Sequence, residues 1–260
     1  MNRLYVISTG PGGYDYLTSE ALRALRECEV VVSYRRYAKD LKELLKDKEV
    51  YTSGMTKEIQ RCKDAIDFAR SGKTTAIISN GDVNVFGMAT LIVELIDEMD
   101  LWDELEVISI PGVTAAFAAA SKCGAPLSQD FAIISLSDKL TEFEVIEKRV
   151  KNSLEADMVI AIYNPLSKKR IEPYKMFLRY LSLYPKRAVL VASHIGRGEK
   201  EQIQVLKAKE LVKRGYENED ISMSTLIIVG NSTTRFTKNR KLLTPRGYLK
   251  KYDLNGEIRA

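Results

Sequence analysis

The chain has 260 residues, enough for one large or two medium domains, and its 45% hydrophobic and 29% charged residues exclude an intrinsically disordered protein. The formal net charge of +5 suits a small anionic ligand as well as a nucleic acid, and no lysine–arginine block is long enough to require the nucleic acid. Three widely spaced cysteines without a CxxC pair, and a single histidine, argue against a disulfide framework and against a metal site.

The first half of the chain is predicted to alternate strands and helices. It enters a strand at residues 3–8 without a signal peptide, and no apolar run reaches the ~18 residues of a membrane span, so we expect a soluble cytoplasmic protein. The alternation predicts a mostly parallel sheet with helices on both faces. Further strands are predicted at 29–32, 50–51, 76–78 and 105–110, and helices after Thr18 or Ser19 and at 38–46, 55–71 and 85–99.

The second half begins where Pro111-Gly112-Val113-Thr114 breaks this pattern. The alanine-rich helix that follows, 115–122, marks the expected domain junction. We therefore expect an N-terminal α/β domain at 1–112, a C-terminal α/β domain at 113–240 and a basic C-terminal extension at 241–260. Several strands follow one another without a long helix, which predicts a mixed second sheet. These strands are placed at 131–136, 158–163, 188–193, 202–206 and 225–229, with helices at 140–150, 174–183 and 208–213.

A Gly-Asp turn, Ser79-Asn80-Gly81-Asp82, follows the buried strand at 76–78. Its small residues allow close approach of the backbone to a ligand, which would lie beyond the strand end near the N-terminus of the next helix. From these residues alone, the turn is either a ligand-holding loop or an ordinary tight connection between strand and helix.

The glycine-rich turn Gly10-Pro11-Gly12-Gly13 resembles a dinucleotide-binding fingerprint but fails its spacing, because the third glycine would fall at Asp15. The second strand ends at Arg35-Arg36 where such a fold expects an acid. An NADP-binding oxidoreductase remains an alternative, because its site could use those arginines. Otherwise Arg35 and Arg36 are the start of a solvated helix.

Small or polar residues end most strands of the second half, which carries no GxSxG, HExxH or Walker sequence. Together with Gly81-Asp82 and the turn at 111–114, these strand ends would line one cleft between two α/β domains. They are found at 135–138, 161–165, 192–197 and 224–226.

Several segments together resemble the tetrapyrrole methylases, a class that binds S-adenosylmethionine (SAM) between two α/β domains. The shared segments are STGPGGYDYLT, SNGDVNVFGMA, IPGVTAAFAAASKCGAPLSQDFAIISLSD, LTEFEVIEKRV, IAIYNPLSKKR and TLIIVGNS. The SLSD and YNPLSKKR segments are similar to one branch, the precorrin-3B or cobalt-factor III C-17 methyltransferases. The resemblance extends from Leu4 to about Ser232.

This resemblance implies a set of residues that hold SAM and its product S-adenosylhomocysteine. It assigns Pro11 to the first turn, Gly81, Asp82 and Val85 to the methionine and ribose, Thr114 and Ala115 to the next turn, and Tyr163, Ile195 and Thr225 to the adenosine. Many class members have the sequence GGDP where this chain has Asn80-Gly81-Asp82-Val83, which leaves the path of the loop open.

The implied reaction is methylation of a cobalamin-precursor tetrapyrrole at C-17, coupled to ring contraction, on precorrin-3B or cobalt-factor III. Methyl transfer from a sulfonium depends on holding donor and acceptor in line, so no general acid or base is assigned. A tetrapyrrole with many carboxylate arms also requires cations. The candidates at loop positions are Arg35, Arg36, Lys168, Lys169, Arg170 and Arg197.

A homodimer is expected from the same resemblance, with apolar Phe86, Met88, Leu91 and Ile92 on one helix as support. Related class members methylate another precorrin, ribosomal RNA or a diphthamide precursor. The SLSD and YNPLSKKR segments argue against the last two. A binding module without enzymatic activity is the remaining alternative, and no nucleic-acid or membrane partner is expected.

Overall fold

The computed structural model describes residues 1–217 and 220–259. The chain divides into unit 1, Met1–Ala115, and unit 2, Ala116–Ala260, each built on a five-stranded sheet. The predicted α/β class is confirmed. The domain limits predicted from the sequence, 1–112, 113–240 and 241–260, stay a prediction, and Ala260 lies outside the described residues.

Unit 1 contains one parallel sheet with the strand order β3-β2-β4-β1-β5. Its strands are β1 (Asn2–Ser8), β2 (Val30–Tyr34), β3 (Glu49–Ser53), β4 (Thr75–Ser79) and β5 (Leu105–Ile110). Its helices are α1 (Ser19–Glu27), α2 (Arg35–Asp40), α3 (Lys42–Leu45), α4 (Glu58–Arg70) and α5 (Ala89–Glu98).

Both faces of this sheet are covered, as expected for parallel strands of continuous apolar sequence. Leu4 and Val6 of β1 pack with α4 and α5 on one face, while Tyr5 and Ile7 pack with α1 and α3 on the other. The chain therefore leaves β1 towards one face and leaves the neighbouring β4 towards the opposite face. In open α/β sheets, ligands bind beyond the carboxyl ends of strands at such a switch point.

Two helices of unit 1 differ from the prediction. The helix expected at 38–46 is divided into α2 and α3 at Leu41, whose backbone leaves the helical region. The helix expected from Val85 begins only at Ala89, because Phe86 adopts a positive φ of 54° that a right-handed helix cannot accommodate.

Unit 2 contains a mixed sheet with the order β10-β9-β11-β8-β7, in which, among the described residues, only the β7–β8 pair is parallel. Its strands are β6 (Gly124–Ala125), β7 (Phe131–Ser135), β8 (Val159–Tyr163), β9 (Ala188–Ser193), β10 (Gln202–Lys207), β11 (Thr225–Val229), β12 (Arg235–Phe236) and β13 (Leu242–Leu243). Its helices are α6 (Ala115–Cys123), whose first residue belongs to unit 1, α7 (Phe143–Glu155), α8 (Glu172–Leu181), α9 (Ala208–Arg214) and α10 (Tyr248–Lys251).

A small sheet of β12, β13 and β6 was not predicted. It buries Leu242 and Thr244 completely, and the Thr244 hydroxyl donates to the Pro126 carbonyl over 2.6 Å. The segment from Arg235 to Thr244 therefore contributes buried residues as well as exposed ones. Across the described residues, no helix combines the length and apolar character needed to cross a membrane.

Candidate functional site

The loops after β1 and β4 are joined through their backbones at the switch point of unit 1. Gly10 donates its N–H to the Gly81 carbonyl over 3.1 Å, and Gly81 donates to the Gly10 carbonyl over 2.7 Å. One residue earlier, the Thr9 N–H donates to the Ser79 carbonyl over 2.9 Å. The predicted cofactor residues Pro11 and Gly81 are thereby held on adjacent loops.

Gly81 has the backbone conformation and the open space that a ligand-holding turn needs. Its φ is +71°, and a Cβ built there would meet no atom within 4 Å. Gly112, after β5, differs because its Cβ would lie 2.4 Å from the Ser8 Cβ and 2.9 Å from the Gly81 carbonyl. Glycine at 112 therefore lets a third loop approach the other two, while Gly81 borders space in which a ligand can reach the backbone.

The Asp82 carboxylate shapes these loops. One oxygen accepts from the Gly112 N–H and the other accepts from the Asn84 N–H, both over 2.8 Å. It thus ties the loop after β4 to the loop after β5. The next residue, Val83, is fully buried and donates its N–H to the Ser8 hydroxyl over 2.9 Å.

The other cofactor candidates of unit 1 lie on the same loops. The Val85 N–H donates to the Asp82 carbonyl over 3.1 Å, which continues the turn towards α5. Thr114 is 3% exposed four residues beyond β5, and Ala115 begins α6. The sequence had not identified Ser8 as part of this site, although it is the last residue of β1.

Three further cofactor candidates, Tyr163, Ile195 and Thr225, lie at the same end of the strands of the unit 2 sheet. Strands β8 and β9 end at Tyr163 and Ser193, and the antiparallel β11 begins between them at Thr225. The hydroxyls of Thr225 and Ser193 are 2.8 Å apart, and Thr225 also accepts from the Ser222 N–H over 3.0 Å. Because its hydroxyl is already hydrogen-bonded to Ser193 and Ser222, Thr225 offers a ligand mainly its backbone and methyl group.

Tyr163 and Ile195 complete this edge. The Tyr163 hydroxyl accepts from the Ala116 N–H in the first turn of α6 over 2.8 Å, and Ile195 is 5% exposed. Ile195 follows His194, the single histidine, whose φ is +55°. A positive φ outside glycine is strained and is common at functional sites, but the sequence alone indicated no role for His194.

The loop from Ile195 to Glu201 is held by an ion pair that the sequence did not predict. One carboxylate oxygen of Glu201 accepts from the Gly196 N–H, and Lys122 of α6 donates to the same carboxylate, each over 2.8 Å. Partial burial favours the neutral acid, but the hydrogen bonds from Lys122 and Gly196 outweigh it and lower the pKa of Glu201 below 4.5. The Lys122–Glu201 pair thus fixes the loop that carries Ile195.

The cations expected at the substrate rim differ in their exposure to solvent. Arg35, Arg36, Lys168 and Lys169 are exposed, and Arg197 is half-buried. Arg170 differs, because it is only 8% exposed and its guanidinium donates to the Ser137 hydroxyl over 3.1 Å and the Asn164 carbonyl over 2.9 Å. Its place in the run Lys168-Lys169-Arg170 indicated an exposed charge, whereas the structure buries it against neighbouring loops.

A cavity of about 550 Å³ lies at the opposite end of the strands of the unit 2 sheet, lined by residues that precede β9 and follow β11. Its described lining includes none of the predicted site residues. Its buried cation, Arg187, already donates to the Leu154 carbonyl and the Asp157 carboxylate. In unit 1 the candidate residues lie at the strand ends of β1, β4 and β5, and in unit 2 they lie after β8 and β9 and at the start of β11.

Comparisons with known proteins identify the family of this chain. The family of tetrapyrrole (corrin/porphyrin) methylases matches residues 3–212. A probable cobalt-factor III C(17)-methyltransferase of Salmonella typhimurium is 42% identical over 94% of this chain and 99% of that protein. The crystal structure of the methyltransferase CobJ matches with a TM-score of 0.85 at 31% identity, covering 94% of this chain and 100% of that chain.

Some relatives are considerably longer. The cobalt-factor III methyltransferase of Priestia megaterium is 38% identical over 97% of this chain, but this chain spans only 46% of its length. The chain thus spans about half the length of that curated relative and nearly the whole of the Salmonella one.

Proposed function

The chain belongs to the tetrapyrrole (corrin/porphyrin) methylases, and we propose that it transfers a methyl group from SAM to C-17 of cobalt-factor III or precorrin-3B. The observation that carries this proposal is the 42% identity along nearly the full length of a relative named for that reaction. Family membership also removes the NADP-binding oxidoreductase as an alternative. Ring contraction in the same turnover remains part of the proposal.

The strand-end loops of unit 1 fit SAM. When bound, SAM supplies an electrophilic methyl group on a sulfonium. Gly81 leaves open space above its backbone, and Ser8, Asp82 and Gly112 fix the loops around that space. The residues proposed to hold SAM are Pro11, Gly81, Asp82, Val85, Thr114 and Ala115 from unit 1, and Tyr163, Ile195 and Thr225 from unit 2.

The chemistry proposed for this chain is positioning. Holding a nucleophilic carbon in line with a methyl donor supplies up to about 7–11 kcal/mol of the barrier without any proton transfer by the protein. Loops tied by Asp82 and by the Lys122–Glu201 pair suit that task, because their shape is set by hydrogen bonds within each unit. We assign no general acid or base.

The proposed substrate carries several carboxylates, and the exposed cations are the groups that would meet them. Arg35 and Arg36 lie directly after β2, and Lys168 and Lys169 lie after β8. Exposed cations attract a polyanion over a range that salt shortens.

The proposed assembly is a cytoplasmic homodimer. The three cysteines are buried and free, which suits a reducing compartment. The helix α5 supports a dimer only weakly, because Ile92 is fully buried and Met88 and Leu91 pack on the same core. Phe86 remains 56% exposed beside it. Light scattering at micromolar concentration tests the dimer, and a monomer mass would reject it.

Mass spectrometry after incubation with SAM tests the reaction. We expect cobalt-factor III or precorrin-3B to gain the mass of one methyl group. Which of the two reacts shows whether the substrate carries cobalt. Another precorrin, ribosomal RNA and a diphthamide precursor are included as competing acceptors. Methylation of one of these in place of the two named tetrapyrroles would replace the proposal, and no transfer to any acceptor would favour a binding module.

A further inference from the structure

The turn after β8 has exposed charged residues at its tip and buried residues where it joins the rest of unit 2. Ser167 and Arg170 exchange backbone hydrogen bonds of 3.3 and 3.1 Å, which close a tight turn around Lys168 and Lys169. The two lysines are exposed, whereas Arg170 is 8% exposed. Leu166, which precedes the turn, is also 8% exposed, so buried residues on both sides fix the turn.

The guanidinium of Arg170 joins three segments of the chain. It donates to the Ser137 hydroxyl after β7, to the Asn164 carbonyl after β8 and to the Met223 sulfur before β11, over 3.1, 2.9 and 3.0 Å. The Asp138 carboxylate lies 3.8 Å from its Nε. Ser137 belongs to the SLSD segment and Asn164 to YNPLSKKR, so one side chain connects both segments.

Stability alone does not account for a charge at this position. Among the described residues the Arg170 Nε is buried without a hydrogen-bond partner, and burial lowers the pKa of the guanidinium. An apolar side chain of similar volume often replaces a buried ion pair at no cost in stability. Both Nη atoms already donate within the chain, which leaves the guanidinium poorly placed to bind a substrate carboxylate.

We infer that Arg170 is a positioning residue that fixes the Ser167–Arg170 turn, so that Lys168 and Lys169 hold carboxylate arms of the tetrapyrrole. This inference rests on the proposed function and names the part of the site that would recognise its substrate. It replaces the direct substrate contact that the sequence assigned to Arg170. Arginine suits this role because its planar fork reaches acceptors on separate segments at once, whereas a lysine ammonium donates from a single nitrogen.

Arg187 provides a matched control in the same unit. It is 7% exposed, donates to the Leu154 carbonyl over 2.9 Å and to the Asp157 carboxylate over 2.8 Å, and lies at the opposite edge of the sheet. Replacing it removes a buried guanidinium of comparable burial without touching the two-lysine turn.

The test measures binding of uroporphyrin, a tetrapyrrole with carboxylates on every pyrrole ring, by fluorescence titration at two salt concentrations. Arg170→Met and the double variant Lys168→Ala/Lys169→Ala should each weaken binding about tenfold and flatten its salt dependence. Adding Arg170→Met to the double variant should cause no further loss, because its effect passes through the lysines. Arg187→Met should keep uroporphyrin affinity within about twofold, even where thermal unfolding shows a similar loss of stability.

Other variants separate geometry from charge. Arg170→Lys keeps the charge but not the fork, so it should behave like Arg170→Met. Full recovery of affinity in Arg170→Lys would overturn the inference, as would an additive loss in the triple variant or an equal loss in Arg187→Met. Wild-type protein that binds uroporphyrin without salt dependence would also overturn it, whereas the proposed function fails only in the methyl-transfer assay.

Discussion

Val83 donates its backbone N–H to the hydroxyl of Ser8 over 2.9 Å, and both residues are fully buried. The bond joins the loop after β4 to the last residue of β1. A proline at position 83 could not make it, because proline has no N–H. The departure from GGDP noted in the sequence therefore has a structural counterpart: this chain ties its loop to Ser8.

Replacing Ser8 with alanine should leave the buried Val83 N–H without an acceptor. We expect a loss of about 1–3 kcal/mol in the free energy of unfolding, because an unpaired buried donor pays its full desolvation cost. SAM affinity should also fall, since the loop that carries Gly81 loses one of the hydrogen bonds that fix it. Denaturant unfolding measures the first effect and calorimetry the second.

Ser33→Ala serves as the control for Ser8→Ala. Ser33 is also fully buried near a strand end of unit 1, but its hydroxyl donates to the adjacent Tyr34 carbonyl. This variant should keep the wild-type affinity for SAM. Equal SAM binding in Ser8→Ala and Ser33→Ala would remove Ser8 from the cofactor loop.

Gly81→Val should abolish or strongly weaken SAM binding, because its side chain would occupy the open space beside the turn. Gly72 is the matched position: its φ is +92°, and its Cβ would also meet no atom within 4 Å. Both substitutions force a positive φ and should cost about 1–2 kcal/mol of stability or more. Calorimetry should find a large loss of SAM affinity only in Gly81→Val, and an unchanged affinity there would sink this placement of the cofactor.

Arg35→Ala and Lys168→Ala should raise the KM for the tetrapyrrole while SAM affinity changes little. Both side chains are exposed, so each contact should be worth about 0.2–1 kcal/mol and should weaken as salt rises. Lys209→Ala, on the surface of α9, is the control for loss of one positive charge. Steady-state kinetics at two salt concentrations measures the effect, and an unchanged KM in both variants would mean that the substrate enters elsewhere.

Glu201→Gln should destabilise the protein in a pH-dependent way. Because the pKa of Glu201 is lowered in the folded state, its ion pair with Lys122 stabilises the fold above the unfolded pKa near 4.5. That stabilisation is lost as the pH falls through the folded pKa. We expect a difference from wild type on the order of 0.5–1 kcal/mol at neutral pH, discounted for partial exposure.

Thermal unfolding from about pH 3 to about pH 7 checks this prediction, because that range spans the ordinary pKa of a carboxyl group. The gap between wild type and Glu201→Gln should close at the acidic end. A gap of constant size across this range would show that the charge on Glu201 does not carry the effect.

The sequence predicted the two main sheets because their strands are strongly apolar. The run Val30–Val32 and the run Leu226–Val229 are continuous apolar segments bounded by polar residues or glycine, which is the pattern of buried strands. It could not predict β6, β12 and β13, because two-residue strands have no periodicity to detect. In addition, β6 pairs with β13 through residues more than 100 positions apart, such as Gly124 and Leu242.

The site was predicted less completely, for a related reason. Gly81 and Asp82 are visible in the sequence, because small and turn-forming residues are unusual after an apolar strand. The burial of Arg170 is not visible, since a lysine–lysine–arginine run normally indicates a solvated surface. Only the fold brings Ser137 and Asn164 to its guanidinium.

The strand order of unit 2 sets the order in which it can assemble. Strand β11 lies between β9 and β8, yet it is the last of the five strands to leave the ribosome. Until residues 225–229 emerge, the pairs β7–β8 and β9–β10 each present an open edge to other chains. Unit 1, whose five strands are complete by residue 110, can finish its sheet well before then. The nascent chain therefore passes through a stage with a complete sheet in unit 1 and two separate strand pairs in unit 2. At this stage it exposes the most unpaired strand edge to chaperones.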